Sequence, residues 1–345
     1  MNVSAPPRTS TRFFVQLGQL LPGLAGACAV AAVAFAAKQI PYVSMINPIV
    51  LAVAIGMTIA SVFGVPAMAQ PGLKFAARFL LRISIVLLGL QITLLEIAQV
   101  GVPAILVCAA SLVATFVFTR WLGRWLGVDA GLTELLASGT AVCGASAIVA
   151  TNTVTRASEG DLAYALGSIT LFGTLSIVLY PIIMREIDLP PILYGFWAGA
   201  SVHEVAQVVA VGFQGGAEAG HAATIVKLAR VLMLAPLILA ISFNRSRRLQ
   251  PSDVKAPLLP WFIVGFIALV VLGSLTEIPG NVRQAAGSIT GILFTIALAA
   301  LGLSTHLRAV TARGLKPLLA GAGAWIFIAS FSLICILAGR MMGWL

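Results

Sequence analysis

From residue 17 to residue 343 the sequence is a succession of apolar stretches about 20 residues long, each closed by proline, glycine or one or two charges. That pattern restricts the fold more than any other feature, because about 20 apolar residues at 1.5 Å per residue match the 30 Å hydrocarbon core of a bilayer. The stretches fall at 17–37, 47–64, 73–95, 99–120, 130–153, 161–184, 190–213, 221–243, 258–276, 282–303 and 317–343. Only 9% of the residues are charged and the mean hydropathy is +1.04, whereas a soluble domain is roughly a quarter charged. A soluble enzyme is excluded, and the reading is an all-α polytopic membrane protein of about eleven transmembrane helices with the lipid bilayer as its solvent.

The basic residues are scattered singly and in pairs, so the net charge of +10 points to membrane sidedness and not to nucleic acid. With the N-terminus cytoplasmic, fourteen Lys and Arg fall at cytoplasmic ends and four, Lys38, Arg156, Arg283 and Arg340, at the opposite ends. This obeys the positive-inside rule and puts the C-terminus on the side opposite the cytoplasm, which is the periplasm if the membrane is a bacterial inner one. The four cysteines lie in apolar runs without a CxxC or a histidine cluster, which argues against disulfides and metal sites. No Walker motif, HExxH or GxSxG is present, so neither an enzyme nor a cofactor is expected.

Three of the 21 basic residues remain, Arg82, Lys227 and Arg230, each about eight residues inside a stretch. Leu80–Gly89 aligns with Leu228–Leu237 at an offset of 148, which places Arg82 on Arg230; the same offset places Gly139 and Thr140 on Gly287 and Ser288. The chain then divides into a peripheral first helix (1–44) and two five-helix units (45–188 and 189–345). An odd span count makes such copies inverted, the plan of secondary transporters with sites at the midplane. Apolar sequence also aligns with itself readily.

The fifth stretch carries ASGTAVCGASA and its partner AAGSITG. Glycine and hydroxyl residues at mid-span weaken a helix, and a half-helix N-terminus attracts anions. Gly139, Thr140, Cys143, Gly144, Ser146, Gly287, Ser288 and Thr290 are therefore candidate substrate-binding residues, although small residues also serve close packing. Arg82 and Arg230, reinforced by Lys227, would supply counter-charges to an oxyanion. Snorkelling to the surface is the alternative. In GASVHEVAQ, His203, Glu204 and Gln207 are candidates for coupling to a proton or sodium, with a structural counter-ion role for Glu204 as the alternative. Gly195 and Gly199 form a GxxxG suited to close contact, within the chain or across a homodimer.

Taken together, Leu81-Arg82 leading into IVLLGLQI, AVCGASAI, GASVHEVAQVVAVG, KLARVLMLAP and the ALGL run resemble the YeiH-type sulfate exporter family of bacterial inner membranes. The resemblance covers nearly the whole chain from about residue 20. It implies an inverted-repeat carrier exporting a small anion, sulfate, sulfite or a related sulfonate. Familiar members often have Asp where this chain has Glu204. An ion-coupled importer of an organic anion and an anion channel are the other readings.

Overall fold

The computed structural model describes residues 9–37, 39–40, 47–246, 261–304 and 314–344, and among these the secondary structure is helical throughout, without a strand. Two compact units emerge. The first contains α1 (Thr9–Ala37), α2 (Pro48–Val62), a rod made of α3 (Gln70–Phe75), a π-helical turn and α4 (Leu81–Leu88), and α14 (Gly280–Leu303). Asn47 caps α2 by accepting the Ile49 N–H at 3.0 Å, with Pro48 at the first helical position, where its missing donor costs nothing. Small residues set the spacing: a Cβ on Gly56 would lie 2.8 Å from the Ala299 carbonyl oxygen, so α2 and α14 touch through their backbones. Ala27, Ala52, Leu73, Ala299 and Leu303 fill the centre of this unit.

The second unit holds α5 (Leu94–Trp125), α6 (Ala130–Ala141), α7 (Ala145–Thr155), α8 (Glu159–Glu186), α9 (Pro191–Ser201), α10 (Val205–Gly212), α11 (Ala217–Leu232), α12 (Leu234–Ser246), α13 (Trp261–Leu275) and α15 (Leu315–Met341). A Thr93–Glu96 capping box starts α5, which kinks at Gly101, where φ is 67°, two residues before Pro103. Aromatic pairs tie α15 into the unit: Phe118 stacks on Phe327 at 4.0 Å, and the Trp325 indole donates to Ser176 Oγ at 2.9 Å.

Two of the eleven apolar stretches turn back on themselves. The stretch at 130–153 folds into α6 and α7 with a turn at Val142–Gly144, and the arms return beside each other: a Cβ on Gly131 would lie 3.0 Å from Ala157 Cβ, and one on Gly139 2.7 Å from Ile148. The stretch at 190–213 does the same through α9 and α10, where the Tyr194 hydroxyl donates to the Val211 carbonyl at 3.2 Å across the open end. Arms of 8 to 12 residues reach only about 12–18 Å, half the thickness of a hydrocarbon core. These are helical hairpins, here termed hairpin 1 and hairpin 2, with the arm lengths of re-entrant elements, and neither is among the six helices that are long and apolar enough to cross a membrane among the described residues.

The 28-residue α8 shows how the hairpins lie. Hairpin 1 packs on its first half, with Leu135 and Ile148 against Tyr164 and Ile169. Hairpin 2 packs on its second half, where Tyr180 stacks on Trp197 at 3.9 Å and donates to Ser201 Oγ at 2.9 Å. The open ends therefore lie at opposite ends of α8, and the tips meet in the middle. Alongside, α11 runs parallel to α9, with Gly195 and Gly199 seated on Ala222 and Val226. The GxxxG is thus spent inside the chain.

Candidate functional site

A helix end leaves its last four carbonyls without partners, and a hairpin tip buried in a protein must find donors for them. Here one face of α11 supplies both tips. Lys227 Nζ donates to the carbonyls of Val142 (2.9 Å), Val202 (2.8 Å) and His203, and Arg230 donates to those of Ala141 (2.8 Å), Val202 (3.1 Å) and Thr140. Both side chains are fully buried. Two helix C-termini carry roughly half a negative charge each, which is what makes two buried cations tolerable in apolar surroundings. All three ammonium protons of Lys227 are consumed, so it has none to offer a ligand.

The chain then restarts as two helix N-termini. Gly144 precedes α7 with φ +70°, and a Cβ there would lie 2.6 Å from Glu204 Cγ, so both the backbone conformation and the closeness of the opposing tip require glycine. Glu204 precedes α10. Its N–H donates to Gln207 Oε1 at 3.1 Å, Gln207 Nε2 donates to the Thr170 carbonyl at 3.2 Å, and the Thr170 hydroxyl donates to Glu204 Oε1 at 3.4 Å. Gly173 leaves the space that the Gln207 amide occupies. Cys143 Sγ and Ser146 Oγ are 3.0 Å apart.

His203 is fully buried between the tips, yet neither ring nitrogen has a hydrogen-bond partner among the described residues, and the buried Thr140 hydroxyl also lacks one there. Such groups are costly unless something else meets them. The cluster is accessible where Ala145 and Glu204 are half-buried and Ser146 is exposed. No group of three His, Cys, Asp or Glu side chains is placed to hold a metal among the described residues.

Thus Thr140, Cys143, Gly144, Ser146, His203, Glu204, Gln207, Lys227 and Arg230 come together, while Gly139 lies one turn before the break and packs on Ile148. The other candidates belong to the first unit. Arg82 is exposed on α4. Gly287 and Ser288 lie within α14, which runs unbroken from Gly280 to Leu303; Ser288 is exposed, and the Thr290 hydroxyl donates to the Ala286 carbonyl one turn back at 2.7 Å. The expected break at Gly287 is therefore corrected: Gly-Ser-Ile-Thr there continues as helix, and Gly287 does not take a positive φ. The second break is at Val202–Glu204.

Sequence reasoning missed Thr170, Gly173 and Val202. One signal was available. Gly139-Thr-Ala-Val142-Cys-Gly144 and Gly199-Ala-Ser-Val202-His-Glu204 share a G-x-x-V just before each turn, at an offset of 60 and not 148.

A family model described as "Conserved hypothetical protein 698" matches residues 22–321, which takes in both hairpins and α11. The chain belongs to this family. Similar relatives carry the name UPF0324: a membrane protein of Pseudomonas aeruginosa is 37% identical over 341 residues, covering 94% of this chain and 96% of that protein. One of Corynebacterium glutamicum is 35% identical, covering 96% of this chain and 95% of its own length. The inner membrane protein YeiH of Salmonella typhimurium is 34% identical over 320 residues, 89% of this chain and 91% of that protein. The family is thus the YeiH-type one, and its members are named as membrane proteins.

Proposed function

We propose that this member of the YeiH-type family is a secondary carrier that moves a small oxyanion of the sulfate, sulfite or sulfonate class across the bacterial inner membrane, in the direction of export. The single observation that carries the reading is the meeting of two re-entrant hairpin tips, entered from opposite ends of one unit and fastened by buried Lys227 and Arg230. Each hairpin is a barrier of half a membrane on one side of a common point, which is what alternating access to a central site needs. The matching G-x-x-V turns support reading the hairpins as an inverted pair.

The anion sits against the N-terminus of α7, where amides and the helix dipole favour negative charge, with Ser146 as hydroxyl donor and His203 as its buried neighbour, while the Glu204 carboxylate caps α10. Arg230 and Lys227 act through the tips they fasten and through their charge. Glu204 is the coupling group: an anion near it weakens the positive field, raises its proton affinity and makes anion and proton travel together. A sodium-coupled uptake of an organic anion is the second reading, favoured by the oxygen cluster of Thr170, Glu204 and Gln207.

Because each hairpin returns to its own side, Arg156 and Arg185 exchange sides relative to eleven straight spans, and the fourteen-to-four bias of basic residues is unchanged. An N-terminus in the cytoplasm and a C-terminus in the periplasm follow from that bias. The test is flux of labelled sulfate, sulfite and a short sulfonate in liposomes, with proton and sodium gradients imposed separately. Absence of saturable flux for all three anions would remove the proposal.

A further inference from the structure

The second unit has a cavity of about 390 Å³ far from the hairpin tips, at the open end of hairpin 1. Phe116, Arg120 and Arg124 of α5, Glu134 of α6, and Leu237 and Ile241 of α12 line it. Arg120 Nε lies 3.2 Å from Glu134 Oε2, and its guanidinium sits over the Phe116 ring, 5.5 Å from the centroid. Arg124, one turn further on, has no acidic partner within salt-bridge distance among the described residues. One wall is thus cationic, with two arginines against one carboxylate, and the other is apolar.

Depth sets the kind of ligand. Arg120 and Arg124 lie within the last six residues of α5, and Glu134 is the fifth residue of α6, so the cavity is within about 8 Å of both helix ends. Trp121 and Trp125 flank the arginines on the same helix, 57% and 73% exposed and stacked at 6.3 Å, in the manner of a membrane-interface aromatic belt. A soluble anion would make no use of the apolar wall, whereas a phospholipid already has its phosphate at this level and its glycerol and acyl carbons beside Leu237 and Ile241.

We propose that this cavity is a binding site for the phosphate of an anionic phospholipid, held by Arg124 and by the free edge of Arg120. Arg suits a phosphate because its planar fork meets two oxygens at once. A zwitterionic lipid brings an ammonium that the arginines repel, so the site discriminates by head-group charge. Since Arg120 also holds Glu134, the lipid joins α5, α12 and the first arm of hairpin 1 at one point. This site is independent of the transport reading and stands or falls without it.

The experiment uses the purified full chain in detergent, with native mass spectrometry of retained lipid after titration with phosphatidylglycerol or phosphatidylcholine. Phosphatidylglycerol should be retained at least fivefold better, about the contribution of one basic residue near a membrane surface. Arg124→Gln, which leaves the Arg120–Glu134 pair intact, should lose about fivefold, and Arg124→Lys should recover part of it. Inorganic phosphate at millimolar concentration should not displace the lipid. Equal retention of the two lipids, undiminished retention in a folded Arg124→Gln variant, or displacement by inorganic phosphate would each overturn the assignment.

Discussion

The Gly173→Ala substitution tests the geometry of the tips most sharply. Its new Cβ falls inside the Gln207 amide, so the side chain must leave and give up two hydrogen bonds, from the Glu204 N–H and to the Thr170 carbonyl. Overpacking costs about 1–3 kcal/mol. The two neutral hydrogen bonds add about 1 kcal/mol each. Alanine recovers about 1 kcal/mol of helix propensity. The net loss is about 2–4 kcal/mol, nearly all of it acting through Gln207. Gln207→Ala alone removes the same two bonds and should be destabilised by a similar amount. Adding Gly173→Ala to Gln207→Ala then meets no amide, and the double variant should be no less stable than Gln207→Ala alone, a coupling of about 2–4 kcal/mol. Equilibrium unfolding of the four proteins in mixed micelles measures the cycle. Additivity to within about 0.5 kcal/mol would mean that Gln207 does not lie in the notch of Gly173.

Four further outcomes follow from the same structure. Cysteines placed at Gly131 and Ala157 should cross-link, since their Cβ positions lie 3.0 Å apart, close to disulfide reach; as ends of a straight 26-residue span they would be about 39 Å apart, and failure to cross-link under oxidation would refute hairpin 1. Lys227→Met strips the donors from the Val142 and His203 carbonyls and leaves Val202 to Arg230 alone; a loss of about 3 kcal/mol or more is expected from broken charge-assisted bonds, and an unchanged melting temperature would refute the fastening role. Glu204→Gln should retain anion exchange in liposomes while losing the response to an imposed proton gradient; a variant that still follows the gradient makes Glu204 a structural counter-ion. At the start of α5, burial pulls the Glu96 carboxyl upward, but the Thr93 backbone N–H and the His221 ring 3.2 Å away more than offset this and hold it below the usual carboxylate range. A depressed folded value means stability that is present above the ordinary Glu range and is lost as pH falls through the lower folded value, so Glu96→Gln should flatten the acid limb of a melting-temperature profile, and an identical limb would refute the pairing.

The membrane class and the neighbourhood of the site were legible because lipid imposes a simple rule on composition and makes every intramembrane charge conspicuous. Lys227, Arg230, His203 and Glu204 stood out for that reason, and all four lie at the tips. The path of the backbone was not legible. A 24-residue apolar stretch has the same hydropathy whether it crosses or turns back, and the difference rests on three residues, Val142–Gly144, whose φ values no composition reveals. Arg82 and Arg230 both sit in Leu-rich helix, but their surroundings differ in a way the sequence does not reveal: Arg82 is exposed on α4, whereas Arg230 is buried and donates to three tip carbonyls. Thr170 and Gly173 were invisible because their importance comes from lying beside Gln207, a contact between residues more than 30 positions apart.

One consequence of the α11 staple concerns motion. Each tip receives three of the six bonds from Lys227 and Arg230. Prising either tip away by itself would break three charge-assisted bonds, on the order of 5–9 kcal/mol. Flapping of one hairpin at a time is therefore the expensive route. If the protein is the carrier proposed above, translating α11 together with both tips preserves all six bonds, so carrying the pocket itself, like a lift car whose doors are bolted to one frame, costs less than opening one door at a time.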